Sequence, residues 1–281
     1  MKNTISKILI FLGTLCFGFV LLSLIVLVAQ RFVDINTIPF QKFLQAMQSI
    51  LIFALPAVVC TLFFTKKRYE FLRLKAFSTR NFWLVCAFAF LAIPATSFIA
   101  LLNEKVCLPK FLSGLEEWLL QMETELNVLT EQFLSVNSIG GLLVNLVVIA
   151  LLAAVCEELF FRGFMQRIFE KIFKNYHAAI WLTAFIFSAI HFQFYGFFAR
   201  MLLGAAFGYI AVFTGSLWLP ILAHFINNAV GVLSYYFSQR YAQISNIDNA
   251  SLDDLWLAAI ACLLGSLLII SRIAHINRHA D

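Results

Sequence analysis

The chain has 281 residues, of which 62% are hydrophobic and only 12% charged, with a mean hydropathy of +0.90. Soluble domains carry about 45–50% apolar and about 25% charged residues, so this composition excludes an ordinary soluble domain and indicates an integral membrane protein. The net charge of +5 would suit an acidic partner, but basic residues in so apolar a chain mainly record orientation, and no nucleic-acid partner is read from them.

A bilayer core takes roughly 20 apolar residues per helix, and about eight stretches meet that length: Ile8–Gln30, Ala46–Thr65, Phe82–Leu102, Ile139–Phe161, Ala178–Tyr195, Phe198–Phe213, Leu217–Ser238 and Leu255–Arg272. The first follows Lys2 and Lys7, is too long for a signal-peptide core and has no small-x-small site behind it, so it is expected to remain as an anchor. The fourth is expected to continue past Arg162. Between the second and third lies the basic segment "KKRYEFLRLKAFSTRN", residues 66–81, expected at the headgroups. Between the third and fourth, "FLSGLEEWLLQMETELNVLTEQFL" has apolar residues at helical spacing and predicts an amphipathic helix on the opposite side. Alternating the eight spans puts most Lys and Arg on one side, so both termini are expected to be cytoplasmic. The short loops have a prokaryotic look, which points to a bacterial inner membrane.

The cysteines form neither a disulfide framework nor a CxxC metal site; Cys156 reads as a small packing residue. The informative residues are the few polar ones inside the spans. "VCEELFFRGF" places Glu158 and Arg162 at i, i+4 on one helix face, with Glu157 about 100° around the same helix. An acidic or basic residue at a helix centre costs about 2.5–3.5 kcal/mol on insertion scales, and ionisable residues within a membrane mark functional sites by default. His191 falls in the fifth span. His224 and Asn228 share a face of the seventh. Gly204 and Gly208 form a G-x-x-x-G that reads as close helix packing, and Arg200 is expected to snorkel to the headgroups. His275 and His279 read as tail residues.

"EELFFR" (Glu157 to Arg162), "FSAIH" (Phe187 to His191) and "HFINN" (His224 to Asn228) together resemble the family of membrane-embedded CAAX prenyl proteases and bacteriocin-processing enzymes, in motif order, spacing and placement on separate spans. The resemblance covers roughly residues 139–238. It implies an all-α polytopic fold with the catalytic core in the C-terminal half, and a glutamate-dependent protease without a covalent intermediate, cofactor or metal. The organisation expected is an N-terminal transmembrane region (1–137), a catalytic core (138–240) and a final helix with its tail (241–281).

Peptide hydrolysis needs a base for water, a proton shuttle and donors for the oxyanion. Glu157, whose face is not shared with Arg162, is the candidate base. His191 would hold the same water and relay its proton. His224 and Asn228 would form the oxyanion hole, and Arg162 would keep Glu158 ionised. Which glutamate activates water stays open at this level. The substrate is a peptide or protein, with lipid modification, oligomeric state and further partners beyond membrane lipids unspecified. A zinc protease using two histidines and a glutamate, an ion-coupled transporter and a non-catalytic scaffold are the competing readings. The site is expected to open toward the basic, cytoplasmic half.

Overall fold

A computed structural model describes residues 4–240 and 252–278. Lys2, His279 and residues 241–251, which begin the last expected segment, lie outside the described residues. Among the described residues the architecture is all-α. The main helices are α1 (Thr4–Ala29), α2 (Ile38–Phe64), α3 (Thr79–Asn103), α4 (Ser113–Leu134), α5 (Ile139–Phe173), α6 (Tyr176–Ala189), α7 (Phe197–Thr214), α8 (Trp218–Ser238) and α9 (Leu252–Arg278).

Six of these (α1, α2, α3, α5, α7 and α9) are long and apolar enough to cross a membrane by length and composition. Helices also occupy the two remaining expected positions. α8 has the length but carries His224, Asn227 and Asn228, which dilute its apolar run. α6 has 14 residues and is therefore about 21 Å long, short of a bilayer core of about 30 Å. The protein is a polytopic membrane protein, with α4 as the amphipathic helix expected between the third and fourth spans.

The helix ends follow local chemistry. Ser78, Ser138 and Asn175 cap α3, α5 and α6 by accepting from backbone N–H groups of the first turn, the usual use of such side chains. α5 ends at Lys174 and α7 at Gly215, both in the left-handed conformation that terminates helices. α5 runs unbroken for 35 residues, so its continuation past Arg162 is borne out. It holds two π-helical turns, Leu146–Leu152 and Leu159–Met165, on either side of the α-helical stretch Ala153–Glu158. Such turns shift the helical register and are frequent at functional sites.

Two expected boundaries move, and both matter for the site. The fifth span ends early, at Ala189. His191 therefore lies in the turn beyond the helix, where Phe192 takes a positive φ of 52°. The second begins early, at Ile38, adding a helical segment rich in glutamine, Ile38–Gln48.

α5 is central, packed against α2, α6, α7 and α8. One apolar core joins α3, α7, α8 and α9 around Val85, Phe88, Phe207, Ile210, Leu219 and Ile273. A second joins α2 and α5 to the 66–78 segment through Phe160, Phe161, Phe164, Phe71 and Leu72, with Phe187 of α6. That basic segment is more than an interfacial anchor. The Arg73 carbonyl accepts from Leu217 N at 2.7 Å, Lys75 O accepts from Ser216 Oγ at 2.8 Å, and the buried Arg73 side chain pairs with Glu170 at 3.0 Å. It thereby ties the start of α8 to the end of α5.

The Gly204/Gly208 pair does allow close packing, now with identified partners. A Cβ at Gly208 would sit 2.8 Å from Gln166 Oε1 and 2.9 Å from Ile180 Cγ2; at Gly204 it would sit 3.0 Å from Arg162 Nη2. α5 and α7 run parallel, so residues 162 and 166 meet 204 and 208 in register. Gly208→Ala is expected to destabilise the bundle by about 1–3 kcal/mol through overpacking. Gly13→Ala, where nothing lies within 4 Å, should leave stability unchanged or slightly raised. Thermal unfolding of both variants in detergent checks the contrast.

Candidate active site

Glu158 and Arg162, one turn apart on α5, are both fully buried, with Oε1 and Nη1 2.6 Å apart. Arg162 Nη2 donates to the Gly204 carbonyl at 3.0 Å. The guanidinium also lies 4.5 Å from the centroid of Phe187 and 5.5 Å from that of Phe207, a cation–π setting that strengthens when water is excluded. The same Glu158 Oε1 lies 2.8 Å from His224 Nδ1. His224 also stacks on Phe207 at 5.3 Å. One carboxylate oxygen thus joins α5 to α8, and the arginine it holds joins α5 to α7.

Glu157 is turned elsewhere. Its side chain is 14% exposed, against 0% for Glu158, and its Oε2 lies 3.9 Å from His224 Nε2. It lines a cavity of about 630 Å³ together with His191, His224 and Asn228. A second cavity, of about 530 Å³, is also lined by Glu157 and His191. The five side chains common to both are Gln45, Thr130, Ala153, Glu157 and His191. His191 Nδ1 lies 2.7 Å from the Phe187 carbonyl. A carbonyl only accepts, so Nδ1 carries the proton and Nε2 of the neutral ring is an unprotonated acceptor. Asn228 Nδ2 donates to the Ile149 carbonyl at 3.3 Å, which leaves its second amide hydrogen available.

The structure therefore brings Glu157, Glu158, Arg162, His191, His224 and Asn228 together. Three features allow this. α5 continues to Phe173 and so holds Glu157 near its middle. α6 stops before His191. α8 starts deep, with Leu217 fully buried against Gly163. Cys156 is buried beside this set, as a packing residue should be. Among the described residues, no three His, Cys, Asp or Glu side chains converge as a metal-ligand set.

Two expectations change. The cavity walls reach Ala100, Thr130, Leu134 and Gly196, at the end of the bundle that holds α4, whereas the sequence placed the opening at the basic end. Arg200 does not snorkel outward: its guanidinium donates to Gln193 Oε1 at 2.5 Å, and the residue lines the same cavity as Glu157.

Sequence reading also missed Gln166, which is fully buried one turn beyond Arg162. Its Nε2 donates to Glu170 Oε1 at 3.0 Å and to the Gly208 carbonyl at 3.4 Å. The signal was present in the i, i+4 series Glu158, Arg162, Gln166, Glu170, a polar row along one face of α5. Gln41 and Gln45 of α2 precede Ala46, the start of the expected second span, where hydropathy gives no sign of a helix.

Arg162→Met is expected to cost about 3–5 kcal/mol of stability, because it leaves the Glu158 carboxylate buried without its partner. Arg162→Lys should recover only part, since an ammonium cannot span Glu158 and the Gly204 carbonyl as a planar fork does. Thermal unfolding of the two variants in one detergent distinguishes these outcomes.

Comparison with known proteins places this site in a matched segment. Residues 139–230 match the family described as Rce1-like, type II CAAX prenyl endopeptidase. Over 90 residues the chain is 30% identical to uncharacterized protein YpbD of Bacillus subtilis (strain 168), an alignment covering 31% of this chain and 43% of that protein. The chain thus spans less than half the length of this curated relative. No solved structure matches it. The matched residues include Glu157, His191, His224 and Asn228.

Proposed function

We propose that the protein is a membrane-embedded endopeptidase in which Glu157 activates the water that attacks the scissile carbonyl. One observation carries this reading: Glu157 and His191 line both cavities, while Glu158 is sealed behind them at 0% exposure and bound to Arg162. Of two adjacent glutamates, only the first can reach a substrate and a water.

The step follows from the side chains. Water gives a proton to the Glu157 carboxylate as its oxygen bonds to the carbonyl carbon, aided by the His191 Nε2 lone pair. The tetrahedral oxyanion accepts from the second amide hydrogen of Asn228 and from His224 Nε2 in its protonated form, the ring being fixed through Nδ1 by Glu158. The C–N bond breaks as the proton reaches the leaving amine, giving a carboxylic acid and an amine. General-base catalysis of this kind contributes about 10²–10⁴-fold.

Glu157→Gln is expected to lower cleavage by about that factor, 10²–10⁴, with wild-type thermal stability. Glu158→Gln should lose stability as well as activity, because it weakens the hold on both His224 and Arg162. The measurement is mass-spectrometric mapping of cleavage sites in proteoliposomes, with a CAAX-ending peptide in prenylated and unmodified forms and a mixed peptide library. Products present with wild type and absent with Glu157→Gln name the substrate class. Identical profiles would end the proposal.

We further place the protein in a bacterial inner membrane with both termini cytoplasmic, a reading supported by Lys66, Lys67, Arg68, Lys75 and Arg80 clustering in one segment between α2 and α3. A C-terminal green-fluorescent fusion should then fluoresce and a C-terminal alkaline-phosphatase fusion should be inactive; an active phosphatase fusion reverses the orientation.

A further inference from the structure

α2 presents a row of amides to the candidate catalytic residues. Gln41, Gln45 and Gln48 stand at i, i+4 and i+7 on its first α-helical segment, Ile38–Gln48, and so share one face. All three line the cavity that Glu157 and His191 also line, and Gln45 lines the larger cavity as well. The Oε1 atoms of Gln41 and Gln45 are buried and accept no hydrogen bond within the protein.

Buried polar atoms are almost always satisfied, and an unsatisfied one is costly. Two carbonyl oxygens left open side by side, on a face turned toward a carboxylate and an imidazole, are arranged for donors that arrive from outside. A primary amide offers one acceptor and two donors, which matches the N–H and C=O of a peptide unit. A helical peptide has these groups already paired with each other, so only an unwound, extended stretch of substrate could use them. Glutamine is neutral, so the row adds no charge beside Glu157 and makes no demand on substrate side chains.

Resting on the endopeptidase reading above, we propose that Gln45, with Gln41, binds the main chain of an unwound substrate segment and holds the scissile bond against Glu157 and His191. The α2 glutamines are binding residues of the N-terminal half, outside the segment that carries the hydrolytic groups. The Gln45 Oε1 atom accepts from a substrate N–H, and the next turn of the helix does the same through Gln41 Oε1.

The test takes a peptide that wild-type protein cleaves in proteoliposomes and compares Gln45→Leu and Gln41→Leu with wild type. KM should rise about ten-fold for one lost hydrogen bond, with kcat changed far less and thermal unfolding unchanged. A series of the same peptide, with one backbone amide at a time replaced by an ester, removes single N–H donors. In wild type one ester position should cost about ten-fold in kcat/KM, and in Gln45→Leu that position should cost nothing further. Unchanged KM in both variants, or an ester penalty that persists in Gln45→Leu, overturns the proposal while leaving Glu157 as the base. Absence of cleavage by wild-type protein overturns the endopeptidase reading itself, and this inference with it.

Discussion

The Glu158–Arg162 pair is the interaction on which the arrangement of helices depends. Bringing both charges out of water is costly, and attraction offsets that cost only where geometry and additional hydrogen bonds are good. Here the carboxylate also holds His224 and the guanidinium also holds the Gly204 carbonyl. Each partner therefore fixes a different helix: α8 through the histidine and α7 through the glycine. Aromatic faces of Phe187 and Phe207 close around the guanidinium, so water is replaced by contacts of fixed direction. Below it, Gln166 and Glu170 continue the polar row to Arg73 and the segment that anchors the start of α8. The site is thus tied to one end of the bundle by hydrogen bonds rather than by apolar packing alone.

That clamp divides labour between neighbouring glutamates. Successive residues on a helix point about 100° apart, so anchoring Glu158 in the protein sends Glu157 to the cavity. The π-helical turns on either side of Ala153–Glu158 offset the faces of α5 before and after the pair. α5 can consequently pack phenylalanines on one stretch, present carboxylates on the next and still span the bundle. His191 gains its freedom in a different way. Lying beyond the last turn of α6, with Nδ1 turned to the Phe187 carbonyl, it leaves its other nitrogen uncommitted.

The cavity is not built by residues 139–230 alone. Gln45 of α2 and Thr130 of α4 line both of its parts, and Thr96 and Ala100 of α3 line the larger. α4 is held over this end through Glu123, which accepts from Tyr195 N at 3.0 Å, and Asn127, which accepts from Gln193 Nε2 at 3.1 Å. Both contacts fall in the turn that carries His191. The N-terminal half, which bears no recognisable motif, therefore shapes what can approach Glu157 and His191.

Sequence by itself determined the class of the protein, the places of its helices and the set of side chains to watch. The reason is energetic: apolar runs of bilayer length have few alternatives, and Glu157, Glu158, Arg162, His191, His224 and Asn228 stand out because charge and amides are expensive among such residues. It also sufficed for the amphipathic α4 and for close packing at Gly204 and Gly208. Tertiary structure alone decided which glutamate faces the cavity, that Arg162 reaches Gly204, and that Arg200 and Arg73 turn inward. It also decided that Gln41, Gln45 and Gln166 belong to the site and its support, and that the cavity lies toward the α4 end. Those outcomes depend on where helices stop and how their faces are rotated. α6 ending at Ala189, α2 beginning at Ile38 and the π-turns of α5 each move a side chain by several ångströms. Hydropathy averages over such shifts, whereas packing of one helix against another resolves them.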